Sequence, residues 1–178
     1  METLSSGIQY RHWPAQQAKA CILLIHGLAE HTGRYERLAA YFNARNIAVV
    51  GPDHIGHGAS PGTRAYVAQF SEYLAPLIEL RDAMTGWYPD TPAFMLGHSM
   101  GGLIAAHLLL QDAQSYRGAM LSAPAFSADE AVSPVTLWLG RLLRAVMPKI
   151  GMMSLEANQI SRDPAVVADY IADPLVYN

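Results

Sequence analysis

Ser99 stands in Gly97-His98-Ser99-Met100-Gly101, a Gly-x-Ser-x-Gly pentapeptide. Directly before it runs the apolar stretch Ala93-Phe94-Met95-Leu96, and directly after it Leu103 to Leu110 reads as a helix. A serine on a strand-to-helix turn projects its hydroxyl from the carboxyl edge of a sheet, which is the geometry of a nucleophile elbow. Gly97 and Gly101 leave room there because they carry no side chain. The chemistry served is covalent. The hydroxyl attacks an acyl carbonyl, and the developing oxyanion is held by backbone amides that a helix start leaves free. One such donor is the amide of Met100. The second is expected from His26-Gly27-Leu28, which ends an earlier apolar strand on the same sheet edge and presents the amide of Leu28. Each donor is worth about 3 kcal/mol of transition-state stabilisation. The plainer alternative is a glycine-rich turn bearing a surface serine.

A serine hydroxyl needs a histidine to take its proton and a carboxylate to orient that histidine. In this architecture the chain order is serine, then acid, then histidine. His107 is the single histidine after Ser99. It lies eight residues on, about 12 Å along the helix, and reads as a helix-face residue. The acid and the base are therefore expected outside this sequence. His26, His31, His54 and His57 fall on loops at the same sheet edge, and hydrogen bonding that holds those loops is their expected work. Recruitment of one of them as the base, and a metal site of Asp53, His54 and His57, are the alternatives. No metal is expected, because a His-x-x-His pair in a glycine-rich loop has no third supporting motif.

The elements that must position these groups read as an α/β alternation. Ala20 to Ile25 and Ile47 to Val50 are short continuous apolar runs, as strands buried on both faces require. Ala93 to Leu96 is a third and Ala119 to Leu121 a fourth, while Ile8 to Trp13 is more polar and reads as an edge strand. Tyr35, Leu38, Ala39 and Phe42 share a helix face that Asn46 stops in a left-handed turn. Ser71 is a candidate cap for a helix through Leu74, Leu77, Ile78 and Met84, whose first turns Pro76 should perturb. Strands alternating with helices imply right-handed crossovers and a mostly parallel sheet. After Pro124 the chain turns small and polar. Val135, Trp138, Leu139, Leu142, Leu143 and Val146 then form an apolar helical stripe, read as packing on the core or as a face dipping into a lipid interface beside Arg141, Arg144 and Lys149. Met147, Met152 and Met153 would suit an adaptable acyl-chain wall.

Composition bounds the rest. The chain has 178 residues, 51 % hydrophobic and 15 % charged, with a formal charge of −3. That excludes a disordered chain and argues against nucleic acid as a partner. The lone Cys21 reads as a small buried hydrophobe in a reducing compartment. Neither a secretory leader nor a membrane span is legible, so a soluble protein is expected, cytoplasmic or at most peripheral to a membrane.

Four separated motifs carry a resemblance, in order along the chain. They are His26-Gly27-Leu28-Ala29-Glu30-His31-Thr32-Gly33-Arg34-Tyr35, then Asp53-His54-Ile55-Gly56-His57-Gly58-Ala59-Ser60, then Gly97-His98-Ser99-Met100-Gly101-Gly102, and finally Ile160-Ser161-Arg162-Asp163-Pro164 with Asp173-Pro174-Leu175-Val176-Tyr177. Together they resemble the monoacylglycerol lipase and lysophospholipase branch of the α/β-hydrolases, in its N-terminal part. The resemblance implies an α/β-hydrolase core over residues 1–123, a truncated helical cap over 124–178, and C-terminal strands beyond. It implies an acyl-enzyme on Ser99 and hydrolysis of single-acyl glycerolipids, monoacylglycerols first and lysophospholipids second, without metal or organic cofactor. His98 takes a positioning role, and His26, Gly27, Gly97, Gly101 and Gly102 support the elbow and its loop. The implied partners are the lipid ester, a membrane surface met by the cap, and the remaining C-terminal portion as a second fragment. A non-catalytic binding module on the same fold is the alternative.

Overall fold

The structure, a computed structural model, describes residues 1–126 and 157–177. Six strands form one sheet: β1 (Glu2–Thr3), β2 (Gln9–Trp13), β3 (Ala20–Ile25), β4 (Ile47–Pro52), β5 (Ala93–His98) and β6 (Gly118–Ser122). Their spatial order is β1-β2-β4-β3-β5-β6. The pairs β3–β4, β3–β5 and β5–β6 are parallel, whereas β1–β2 and β2–β4 are antiparallel. Among the described residues the α-helices are α1 (Glu36–Asn43), α2 (Leu74–Trp87), α3 (Met100–Asp112) and α4 (Pro164–Ala172).

Because side chains alternate across a strand, β3 feeds two cores. Cys21, Leu23 and Ile25 face α2 and α3, where Leu77, Leu80, Met84, Ile104 and Leu108 meet Met95 with at most 1 % exposure. Ile22 and Leu24 face the other way, against Ala39 of α1 and Val49 of β4. On that second face α1 covers the β3–β4 half, and Met120 of β6, beside Leu96, remains 41 % exposed. Cys21 is buried, as its apolar run requires, and burial pushes its thiol up to about 11.

The chain inverts its direction of growth at β3. It passes from β3 to β4 on one side and then crosses to β5 on the other. At such a switch point the loops leaving two neighbouring strands diverge and open a crevice at their carboxyl ends. Here those ends are His26-Gly27-Leu28 and Ser99.

Three local expectations are revised. The strand near Ile8 is not outermost, because the two-residue β1 pairs along its free side. The short 3-10 turn Phe70–Tyr73 that leads into α2 is capped by Gln69 rather than Ser71: the Gln69 amide donates to Glu72 Oε1 at 2.6 Å, in a reciprocal capping box. Pro76 falls in the first turn of α2, where its missing N–H costs no intrahelical bond, so the helix runs through it. Asn46 does take the left-handed conformation, with φ 58°. The stripe from Val135 to Val146, the three basic residues beside it, and Met147, Met152 and Met153 lie outside the described residues.

Candidate active site

Ser99 lies between the last residue of β5 and the first of α3 with φ 53° and ψ −119°. A non-glycine residue at positive φ costs of order 1–3 kcal/mol and persists only where its surroundings over-determine it. They do so here. The Ser99 amide donates to the Ser122 carbonyl at 2.9 Å, and the Ser99 carbonyl accepts from the amides of Gly102 at 2.9 Å and Ala125 at 3.0 Å. The neighbouring glycines are dictated by packing. A Cβ on Gly101 would overlap the carbonyl oxygens of Ile25 and His26, and one on Gly97 would lie 2.5 Å from the Gly101 carbonyl. Gly102 lies under Pro124, whose Cβ would come to 2.7 Å.

The loop after β3 closes against this turn. A Cβ on Gly27 would sit 3.4 Å from Ser99 Cβ and 2.9 Å from Glu30 Oε1. Glu30 Oε1 accepts from the Gly27 amide and from the Tyr35 hydroxyl, each at 2.7 Å, while Oε2 lies 3.2 Å from Arg34 Nε. Burial, together with the Glu30 charge, raises the Tyr35 phenol well above its ordinary range, so it stays protonated and donates. The Arg34 guanidinium in turn rests 4.5 Å from the ring centroid of Tyr170 on α4. These groups enclose a cavity of about 290 Å³ lined by Gly27, Leu28, Glu30, Arg34, His98, Ser99, Ile160 and Tyr170. The Tyr170 hydroxyl is buried without a partner among the described residues.

The histidines divide by role. His98 Nδ1 lies 3.1 Å from the Ser122 carbonyl and 3.2 Å from its hydroxyl, so the ring is engaged with β6. His107 is exposed on α3 with its ring 5.0 Å from that of Phe70, a helix-face residue as its spacing predicts. His31 accepts from the Gly33 amide at Nδ1, so its Nε2–H donates to Asp173 Oδ2 at 2.8 Å. Burial raises the Asp173 carboxyl, but His31, the Leu175 amide and Arg34 outweigh it and hold the group below its ordinary value. His26, His54 and His57 form a ring cluster with at most 2 % exposure. Burial, first of all, lowers all three, and His26 and His54 fall far below the ordinary value as neighbouring imidazoles add to it. Asp53 spends its oxygens on the Thr32 amide and hydroxyl, at 2.9 and 2.6 Å, and on the Ala59 amide at 3.0 Å. That carboxylate staples the loop after β3 to the loop after β4.

The structure thus brings Ser99, Leu28, Gly27 and His98 to one crevice, with Met100 opening α3 directly after the serine, and places His26 behind it. It also adds Glu30, Arg34, Ile160 and Tyr170, to which sequence reading gave no separate role. For the first two a signal existed, an acid and a base four residues apart directly after His26-Gly27-Leu28. For Tyr170 no signal existed, because only the approach of α4 to a loop far away in the chain brings it there.

Comparison with known proteins agrees with this geometry. Residues 16–178 match the Hydrolase_4 family, described as serine aminopeptidase, S33. A monoacylglycerol lipase of Mycolicibacterium smegmatis is 38 % identical over 172 residues, covering 96 % of this chain and 61 % of that protein. The human monoglyceride lipase is 34 % identical, with 93 % of this chain and 55 % of that protein covered. Among solved structures, a monoacylglycerol lipase of Paleococcus ferrophilus superimposes with a TM-score of 0.80 at 28 % identity, over 99 % of this chain and 65 % of that one. The chain therefore spans roughly three-fifths of the relatives it matches. With its switch-point crevice, its serine turn and this match, the chain belongs to the Hydrolase_4 family of α/β-hydrolases.

Proposed function

We propose that the protein to which this chain belongs is a serine hydrolase that cleaves carboxylic esters of single-acyl glycerolipids through an acyl-enzyme on Ser99. The observation that carries the reading is the positive-φ turn at Ser99, held by four backbone hydrogen bonds beside Gly27-Leu28 at the switch point of the sheet. Backbone held in a sparsely populated region clusters at active sites. In the reaction Ser99 Oγ attacks the ester carbonyl, and the amides of Leu28 and Met100 hold the oxyanion. The alcohol then departs with a proton, and water releases the fatty acid. The histidine base and its acid are assigned to the part of the protein beyond these residues, since His26, His31, His54, His57 and His98 bond elsewhere and His107 stands exposed on α3 against Phe70.

The substrate class rests on the cavity and on the relatives. A carboxylate, a guanidinium and a buried phenol stand around one end of the cavity at Ser99, donors and acceptors suited to the hydroxyls of a polyol leaving group. Relatives named monoacylglycerol or monoglyceride lipase support the same class. Residues 124–178 we assign to a cap over the crevice that meets the lipid surface, and 1–123 to the core. No helix among the described residues is long and apolar enough to cross a membrane. A fluorophosphonate probe tests the nucleophile in the full-length protein. Labelling of the wild type that is lost in Ser99→Ala supports the reading, and equal labelling of both refutes it. Turnover of a monoacylglycerol, a lysophospholipid and an acyl thioester then ranks the substrates.

A further inference from the structure

His26 ends at the tip of β3, and its ring folds back onto the loop it begins. Its Nε2 is 2.9 Å from the backbone nitrogen of His54, which carries a hydrogen, so Nε2 is the acceptor and holds a lone pair. The ring proton therefore belongs on Nδ1, and Nδ1–H donates to the Gly27 carbonyl at 2.7 Å. That carbonyl and the Leu28 N–H are the two ends of one trans peptide. Fixing the oxygen on the His26 side turns the Leu28 N–H to the opposite side. The preceding peptide is clamped too: the His26 carbonyl accepts from His54 Nε2–H at 3.2 Å, and the Gly27 amide donates to Glu30 Oε1 at 2.7 Å. Of the four polar atoms in these two peptides, only the Leu28 N–H has no partner among the described residues, and Leu28 lines the cavity at Ser99.

We infer that His26 is a positioning residue that sets the direction of the Leu28 oxyanion amide, with His54 selecting the ring tautomer that makes this possible. The inference rests on the serine-hydrolase reading above and assigns a role that reading leaves open. Its physical need is clear. Glycine has no Cβ to oppose rotation about its bonds, so the Gly27–Leu28 peptide is the one most free to turn over. Turned over, it would aim a carbonyl oxygen at the developing anion in place of an N–H. Burial keeps the clamp in one protonation state, since His26 is fully buried beside His54 and His57.

Two substitutions separate positioning from bulk support. Asparagine sets an amide nitrogen near the place of Nδ1, whereas glutamine reaches the place of Nε2. In the full-length protein, His26→Asn is expected to keep kcat within about tenfold of wild type, while His26→Gln loses about a hundredfold, with KM within about twofold in both. Amide NMR gives a readout independent of turnover: in His26→Gln the Leu28 resonance shifts or doubles while that of Met100 stays, and in His26→Asn both stay. In the wild type the His26 ring nitrogens report an unprotonated Nε2 at neutral pH. A protonated Nε2 overturns the inference. So does a Leu28 resonance untouched in His26→Gln, or a loss of kcat in both variants that simply follows their melting temperatures. A wild type that hydrolyses no ester refutes the proposed function instead, and the ring and amide resonances still decide the role of His26.

Discussion

At the scale of single residues, the strained serine and the glycines around it make opposite predictions about stability. Ser99→Gly removes a side chain from positive φ and is expected to raise the melting temperature, by the equivalent of about 1 kcal/mol, while ending probe labelling. Calorimetry beside a labelling gel checks both, and a melting temperature that falls would mean the turn stores no strain. Gly101→Val is expected to cost about 3 kcal/mol or more. Its Cβ would overlap two carbonyl oxygens at the tip of β3, which are backbone atoms that cannot swing aside. An unchanged denaturant midpoint would contradict that packing. Asp53→Asn leaves the shape and removes an acceptor from a fully buried site that serves three donors. The expected loss is about 1–3 kcal/mol by urea unfolding, with no change in which residue the probe labels.

At the scale of elements, what could be read in advance followed burial. The central strands were legible because burial on both faces demands unbroken apolar runs, as in Ala-Cys-Ile-Leu-Leu-Ile of β3. β1 was not, since two exposed residues carry no pattern. The cap before α2 was misread because side-chain propensity favours serine, whereas Gln69 gains its place from the reciprocal bond with Glu72. The elbow was legible because its glycines, strand and helix are contiguous. The contacts of α4 were not, because His31–Asp173 joins residues 142 positions apart. That pair, with Arg34 on Tyr170, ties α4 to the loop after β3. Tyr170→Phe keeps the ring and removes the unpartnered hydroxyl. It is expected to raise KM for monoacylglycerols several-fold and to leave KM for esters of simple alcohols unchanged, with steady-state kinetics on matched acyl chains as the check. Equal effects on both would place the hydroxyl outside the alcohol subsite.

At the scale of the whole molecule, the buried imidazole cluster gives stability a direction with pH. His26, His54 and His57 are lowered by burial, so below their ordinary value near 6.5 the unfolded chain binds protons that the folded one does not. Stability is complete above that value and falls as pH drops beneath it, by up to about 1.4 kcal/mol per pH unit for each ring until the folded rings also titrate. Urea midpoints at pH 7.5, 6 and 5 should decline in that order; midpoints that rise toward pH 5 would show the cluster to be charged in the fold.

The inversion of strand order at β3 has a consequence in time. About seventy residues separate Leu28 from Met100, and a ribosome adding about 5–20 residues per second needs several seconds to bridge them. Through that interval β3 and β4 can pair, yet the neighbour that carries the serine has not been made. The crevice therefore belongs to no early piece of the nascent chain. It can form only once β5 has taken its place beside β3, by which time Leu28 has long been part of the chain.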